Sequence, residues 1–189
     1  EYLYDLEGNL LVSSAIALGY LGGAVGGQAL VGYYTDFNAG TTAPEGAITE
    51  AGLVPVQITD ISTFDLTTID ILMVNESNNG GLSAAMQARL PDIQAWADGG
   101  GVFMVHDRFV TDDTGDPQPN PFLVGAPGIL LDRDFANGAD IDVIPPGDTL
   151  VTNGPQGVID NTTLDGGNYS NHGFAREESF PAGAVSILS

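Results

Sequence analysis

The stretch GGGVFMVHDRF, residues 99–109, combines a helix stop, an apolar strand and a polar strand end. Three glycines are a typical end for a preceding helix, and VFMV is an apolar run of a length that suits a strand. The run stops at His106, Asp107 and Arg108, so one of the two histidines stands beside one of the few basic residues. The stretch therefore predicts a strand that leaves the core at an edge rich in functional groups.

The residues before this stretch alternate between strand-like and helix-like patterns. Four apolar runs predict strands near residues 29–34, 54–58, 69–74 and 101–105. TTAPEGAITEAG reads as a short helix, and apolar residues over 82–98 recur at spacings of three and four, as on one face of a helix. Pro91 interrupts that segment, which predicts a kink or a new helix start. Strand and helix alternating at this spacing imply right-handed crossovers and a mainly parallel sheet.

The composition changes after Phe109. Asp, Asn, Gly and Pro dominate as far as about Phe180, which predicts a loop-rich second half. We expect residues 1–28 to form an N-terminal strand and a glycine-rich lead-in. Residues 29–189 are expected to form a single domain, as a piece of a longer protein.

The charge balance excludes two classes of partner. The chain has 25 acidic residues against four basic ones, a net charge of -21, and it has no cysteine. Such a field repels nucleic acid and anionic membrane surfaces, and the apolar segment LLVSSAIALGYLGGAVGG is broken by glycines, so neither nucleic-acid binding nor membrane insertion is expected. Three settings fit the charge. The protein is secreted or lies at the cell surface, where calcium is abundant, or it comes from a salty habitat, or its acidic residues simply keep it soluble.

The order VGYYTD, IDILMVNE, a helix and WADGGGVFMVHDRF resembles the class I glutamine amidotransferase-like superfamily over roughly residues 29–109, and weakly in the later NHGF and FPAGAVSIL. The resemblance implies an α/β, flavodoxin-like fold: a mainly parallel sheet flanked by helices, here with a loop-rich second half. In that superfamily the turn after the Gly-Gly-Gly strand carries a catalytic cysteine. Here His106, Asp107 and Arg108 take that place, so glutamine amidotransferase activity is excluded. The resemblance is to a branch that lacks the cysteine.

In an open parallel sheet, ligands bind outside the carboxyl ends of the strands. The candidate ligand-binding residues at these ends are Asp36, Asn75, Glu76, His106 and Arg108. His106 is also a candidate general base or metal ligand, with Asp107 or His172 as its partner. Adjacent residues in a strand point to opposite sides, which argues against a His106–Asp107 pair. The alternative is that polar residues end these strands simply because the chain leaves the core there.

Two aspartate-rich loops suggest calcium as a cofactor. DDTGD follows the predicted crevice, and DRDFANGADID offers several carboxylates but departs from the EF-hand pattern at its fifth and twelfth positions. The candidate metal ligands are Asp112, Asp113, Asp116, Asp132, Asp134 and Asp140. The alternative for each loop is a solvated turn.

From these patterns we expect a non-catalytic binding or structural module of a secreted or cell-surface protein, stabilised by calcium. Its expected partners are other domains of a larger protein or proteins at the cell surface. The alternative is a hydrolase-like enzyme that uses His106 and neighbouring carboxylates. A catalytic pocket would place His106 within hydrogen-bond reach of a carboxylate or of His172.

Overall fold

The chain divides into two units, Glu1–Phe109 and Val110–Ser189, at the point where the composition changes. The computed structural model describes residues 2–4, 10–13, 28–77, 81–106, 118–119, 124, 128–133, 153–154, 157–158, 160–161 and 173–182.

A four-stranded, all-parallel sheet forms the centre of the first unit. Its strands are β3 (Leu30–Asp36), β4 (Val54–Gln57), β5 (Ile71–Glu76) and β6 (Val102–His106). They lie in the order β4-β3-β5-β6. Helix α1 (Ala43–Glu50) connects β3 to β4, and helix α2 (Ala84–Asp98) connects β5 to β6. The predicted strands, the crossover helix and the α/β flavodoxin-like fold are confirmed.

Local sequence signals fix the ends of α2. The Ser83 hydroxyl accepts a hydrogen bond from the Met86 N–H at 3.1 Å and caps the first turn. At the other end, Gly100 has a φ of +106°, in the region that favours glycine. A Cβ atom on Gly101 would lie 2.3 Å from the Trp96 ring, so only glycine fits there. Pro91 lies inside α2, and the segment is therefore one helix rather than two.

The two helices cover opposite faces of the sheet. The crossover from β3 and the crossover from β5 leave in opposite directions, and right-handed connections then put their helices on opposite sides. On the α1 face, Val31, Tyr33 and Ile48 form a buried cluster. On the α2 face, Leu72 and Val74 are fully buried.

Short strands make up the rest of the described structure. In the first unit, β1 (Tyr2–Tyr4) pairs antiparallel with β2 (Leu10–Ser13). The described strands of the second unit are β7 (Gln118–Pro119), β8 (Leu130–Arg133), β9 (Asn153–Gly154), β10 (Gly157–Val158) and β11 (Gly173–Ala175). There β11, β8 and β7 form one antiparallel sheet, and β9 pairs with β10. Two 3-10 turns span Leu66–Thr68 and Glu177–Ser179.

Candidate ligand site at the carboxyl edge of the sheet

Strands β3 and β5 are neighbours whose crossovers leave in opposite directions, which makes their carboxyl ends a topological switch point. The ladder brings five polar residues to this edge in two rows. Thr35 lies opposite Asn75, which lies opposite His106 on the next strand. In the second row, Asp36 lies opposite Glu76. The strand ends singled out in the sequence therefore do meet at one edge.

Alternation along the strands separates these residues by face. Asp36 and Glu76 lie on the α2 face and are only 0% and 4% exposed. Thr35, Asn75 and His106 lie on the α1 face. Exposure increases along their row, from buried Thr35 through half-buried Asn75 to exposed His106. We call Thr35, Asn75 and His106 the polar row.

The Asp36 carboxylate is used within the fold. Its Oδ1 accepts a hydrogen bond from the Tyr34 hydroxyl at 3.0 Å, and its Oδ2 accepts one from the Ser83 N–H at 2.7 Å. The Ser77 hydroxyl donates to the Asp36 carbonyl oxygen at 2.7 Å. Burial, and then the bond to Asp36, raise the pKa of Tyr34 to about 12. Asp36 thus fastens β3 to the start of α2 and places its charge at the positive end of that helix.

Hydrogen bonds hold the polar row together and orient its histidine. Asn75 donates from Nδ2 to the Thr35 hydroxyl oxygen at 3.5 Å, and its Oδ1 lies 2.9 Å from His106 Nδ1. Because an amide oxygen only accepts hydrogen bonds, Nδ1 must carry the proton. Neutral His106 then presents Nε2 as an unprotonated acceptor. The edge offers an oriented acceptor to any ligand that brings an N–H or O–H donor.

The residue after Asp36 has unusual backbone geometry. Phe37 has a φ of +62° and its side chain is 55% exposed. A turn closed by the Asn38 N–H donating to the Thr35 carbonyl at 3.0 Å holds it in place. A left-handed non-glycine residue costs about 1–2 kcal/mol. The strain lies directly beside the two rows, where the chain must turn away from the switch point.

The sequence patterns did not single out four residues that shape this edge: Thr35, Tyr34, Ser83 and Phe37. Thr35 completes the polar row, while Tyr34 and Ser83 hold Asp36 in place. Alternation gave a usable signal for Thr35, because residues two apart in a strand share a face and Asn75 needs a neighbour across the ladder. The strained Phe37 left no signal, since glycine or asparagine is the usual residue at such a position.

Most of the other predicted site residues lie outside the described part of the chain. For the catalytic and ligand sites these are Asp107, Arg108 and His172, and for the metal site Asp112, Asp113, Asp116, Asp134 and Asp140. Asp132 is described: it is buried in β8, and its Oδ2 accepts a hydrogen bond from Arg176 Nε. This bond raises the pKa of Arg176. Asp132 therefore has a protein cation as its partner.

Two features are absent from the described residues. Within those ranges, no group of three or more histidine and acidic side chains is placed to hold a metal ion. No helix among the same residues is both long enough and apolar enough to cross a membrane.

Comparison of the whole chain with protein-family models, with curated proteins and with solved structures finds no significant match.

Proposed function

We propose that this chain is a non-catalytic binding module that holds its ligand against the polar row. One observation carries the proposal: the contact of 2.9 Å between Asn75 Oδ1 and His106 Nδ1 at the switch point. In a Ser-His-Asp triad a carboxylate occupies the Nδ1 side of the histidine, because it stabilises the imidazolium that forms when Nε2 takes a proton, and the triads that have an amide there use a cysteine nucleophile, which this chain lacks. A neutral amide orients the ring without supplying that charge. The polar row is therefore suited to accepting a hydrogen bond from a ligand rather than to removing a proton from it.

The charge of the chain narrows the class of ligand. His106 Nε2 needs a donor, and a net charge of -21 repels anions from the whole surface. The positive end of α2, which in many α/β folds receives a bound anion, already faces the Asp36 carboxylate. These features favour a neutral or cationic ligand with an N–H or O–H group.

A matched set of small probes tests this proposal. We expect benzylamine and benzamide, but not benzoate, to shift the backbone NMR signals of Thr35, Asn75 and His106. His106→Ala should abolish the shifts. Gln28→Ala should keep them, because Gln28 is exposed just before the amino end of β3.

Three results would contradict the proposal. The first is no shift with any probe, and the second is equal shifts with benzoate. The third is ester or amide hydrolysis by the native chain that disappears in His106→Ala, because it would favour the hydrolase-like alternative instead.

We also propose that the module belongs to a secreted or cell-surface protein, as one part of a larger chain whose other domains or surface proteins are its partners. The acidic composition and the resemblance to cysteine-lacking amidotransferase-like domains support this context. Calcium bound through the aspartate-rich loops would offset the self-repulsion of 25 carboxylates. At a hundredfold its Kd, one bound ion stabilises the fold by about 2.7 kcal/mol. We expect calcium to raise the melting midpoint more than sodium chloride of equal ionic strength does. Equal midpoints would contradict a specific calcium site in these loops.

A further inference from the structure

One face of β6 exposes apolar side chains. Val102 and Met104 are 41% and 47% exposed, and they share this face with His106. Across the ladder, Val102 lies opposite Ile71 and Met104 lies opposite Met73. We call Ile71, Met73, Val102 and Met104 the apolar strip. Four apolar side chains on two adjacent strands form a continuous surface, which differs from an isolated exposed residue.

The apolar strip marks a place where the covering layer of the sheet is incomplete. Parallel sheets occur almost only with both faces covered by helices. On this face the buried cluster of Val31, Tyr33 and Ile48 involves α1, and it extends to Ile71 and Met73. Among the described residues, no helix continues the layer over Val102 and Met104. The α2 helix lies on the opposite face of the sheet and does not cover Val102 or Met104.

We propose that the apolar strip docks a basic amphipathic helix of a partner protein. A helix is the element that covers the face of a parallel sheet, and methionine side chains adapt to a partner's shape. From Val102 to His106 the strand rises about 13 Å. A helix of about nine residues spans that length and presents apolar residues at two or three successive turns.

The negative net charge of this chain favours a partner of positive charge. A second copy of this chain would also carry a charge of -21, so packing two apolar strips together would bring two strongly acidic molecules into contact. A helix with lysine and arginine on its outer face is attracted by the same field. Docking of such a helix requires no ligand at the polar row.

The three methionines of the chain provide a direct readout. Met86 is fully buried, Met73 is half-buried and Met104 is the most exposed. Hydrogen peroxide converts accessible methionine to the sulfoxide, and mass spectrometry follows each site. In the free chain Met104 should oxidise fastest and Met86 slowest.

The probe is a synthetic peptide of about fourteen residues, four helical turns, with leucines on one face and lysines on the other. At about ten times its Kd it should slow the oxidation of Met104 by about tenfold. A peptide of the same composition, scrambled so that leucines point in all directions, should protect far less. The pair carries equal charge, so the comparison separates docking from attraction to an acidic surface.

Two variants locate the docking site while circular dichroism monitors folding. Val102→Thr keeps the branched shape but adds a hydroxyl, and it should raise the Kd of the peptide by about fivefold. Phe37→Ser removes an exposed apolar side chain outside the strip and should leave the Kd unchanged.

Each of three results would overturn the proposal. Slow oxidation of Met104 in the free chain would mean that the chain's own residues cover the strip. Protection that grows with protein concentration alone would mean that a second copy covers it. Equal protection by the scrambled peptide would mean that charge alone acts.

Discussion

Thr35 and Asp36 are neighbours in β3, yet they belong to two rows with different roles. Asp36 is fully buried, and each carboxylate oxygen accepts a hydrogen bond, one from Tyr34 and one from Ser83. Thr35 begins a row that ends at exposed His106. A polar residue at a strand end is therefore not by itself a site residue. The face that it occupies decides whether its hydrogen bonds serve the fold or remain open to a ligand.

Breaking the row of Asp36 and Glu76, which we call the buried row, should change the stability of the fold most. Asp36→Ala should lower the free energy of unfolding by about 3 kcal/mol, because the Tyr34 hydroxyl and the Ser83 N–H both lose a buried acceptor. Urea unfolding measures the loss. His106→Ala, its counterpart in the polar row, should change the free energy by less than about 0.5 kcal/mol, as expected for an exposed side chain. Similar losses for the two variants would show that the rows do not differ in role.

Alkaline pH weakens the hydrogen bond that Tyr34 donates to Asp36, and also the one that Tyr33 donates to Glu45 on the other face of the sheet. Burial, followed by the hydrogen bonds to Glu45 and Asp36, raises the pKa of Tyr33 and of Tyr34 from 10.0 to about 12. The folded state favours the neutral phenols, so their contribution is complete below pH 10 and is lost as the pH rises through about 12.

Tyr34→Phe sharpens this test. This variant should lower the free energy of unfolding by about 1 kcal/mol at neutral pH. It should also make the decrease of that free energy at alkaline pH less steep, because one of the two titrating phenols is absent. Chemical unfolding at a series of pH values measures both effects. An alkaline loss of the same steepness in Tyr34→Phe would contradict the assignment.

The smallest expected effect concerns Phe37, which follows the two rows directly. Phe37→Gly should raise the free energy of unfolding by about 0.5 kcal/mol, because relief of the left-handed φ slightly exceeds the entropy cost of glycine. Phe37→Ala keeps a Cβ and should give no gain. Thermal melting of both variants makes the comparison, and a loss of stability in Phe37→Gly would show that the aromatic ring is needed for packing.

Much of this edge could be predicted from the sequence. Apolar runs of strand length, the helical spacing of apolar residues over 82–98 and the glycines after that segment depend on local chemistry, and they predicted the parallel sheet and its polar carboxyl edge. Successive side chains of a strand point to opposite faces of the sheet, a rule that the sequence analysis applied to His106 and Asp107. The same rule applied to Thr35 and Asp36 would have assigned them to opposite faces and so to two different rows.

The rest depends on tertiary placement. Ser83 reaches Asp36 because of where α2 starts against the sheet, across 47 positions of sequence. The orientation of His106 depends on an amide 31 positions away. Asp132 was predicted as a metal ligand from its loop, but its partner Arg176 lies 44 positions further on. Local patterns do not encode these distances.

The protonation of the His106 ring tests the division between the two rows most directly. Long-range nitrogen–proton NMR spectra at about pH 8 distinguish the two neutral tautomers of a histidine ring. His106→Gln assigns the signals, because the chain has only two histidines. We predict a proton on Nδ1 and a bare Nε2, and we predict that Asn75→Leu releases this preference. A proton on Nε2 in the native chain would mean that Asn75 turns its amide nitrogen to the ring, and the polar row would not offer the acceptor on which the proposed ligand site depends.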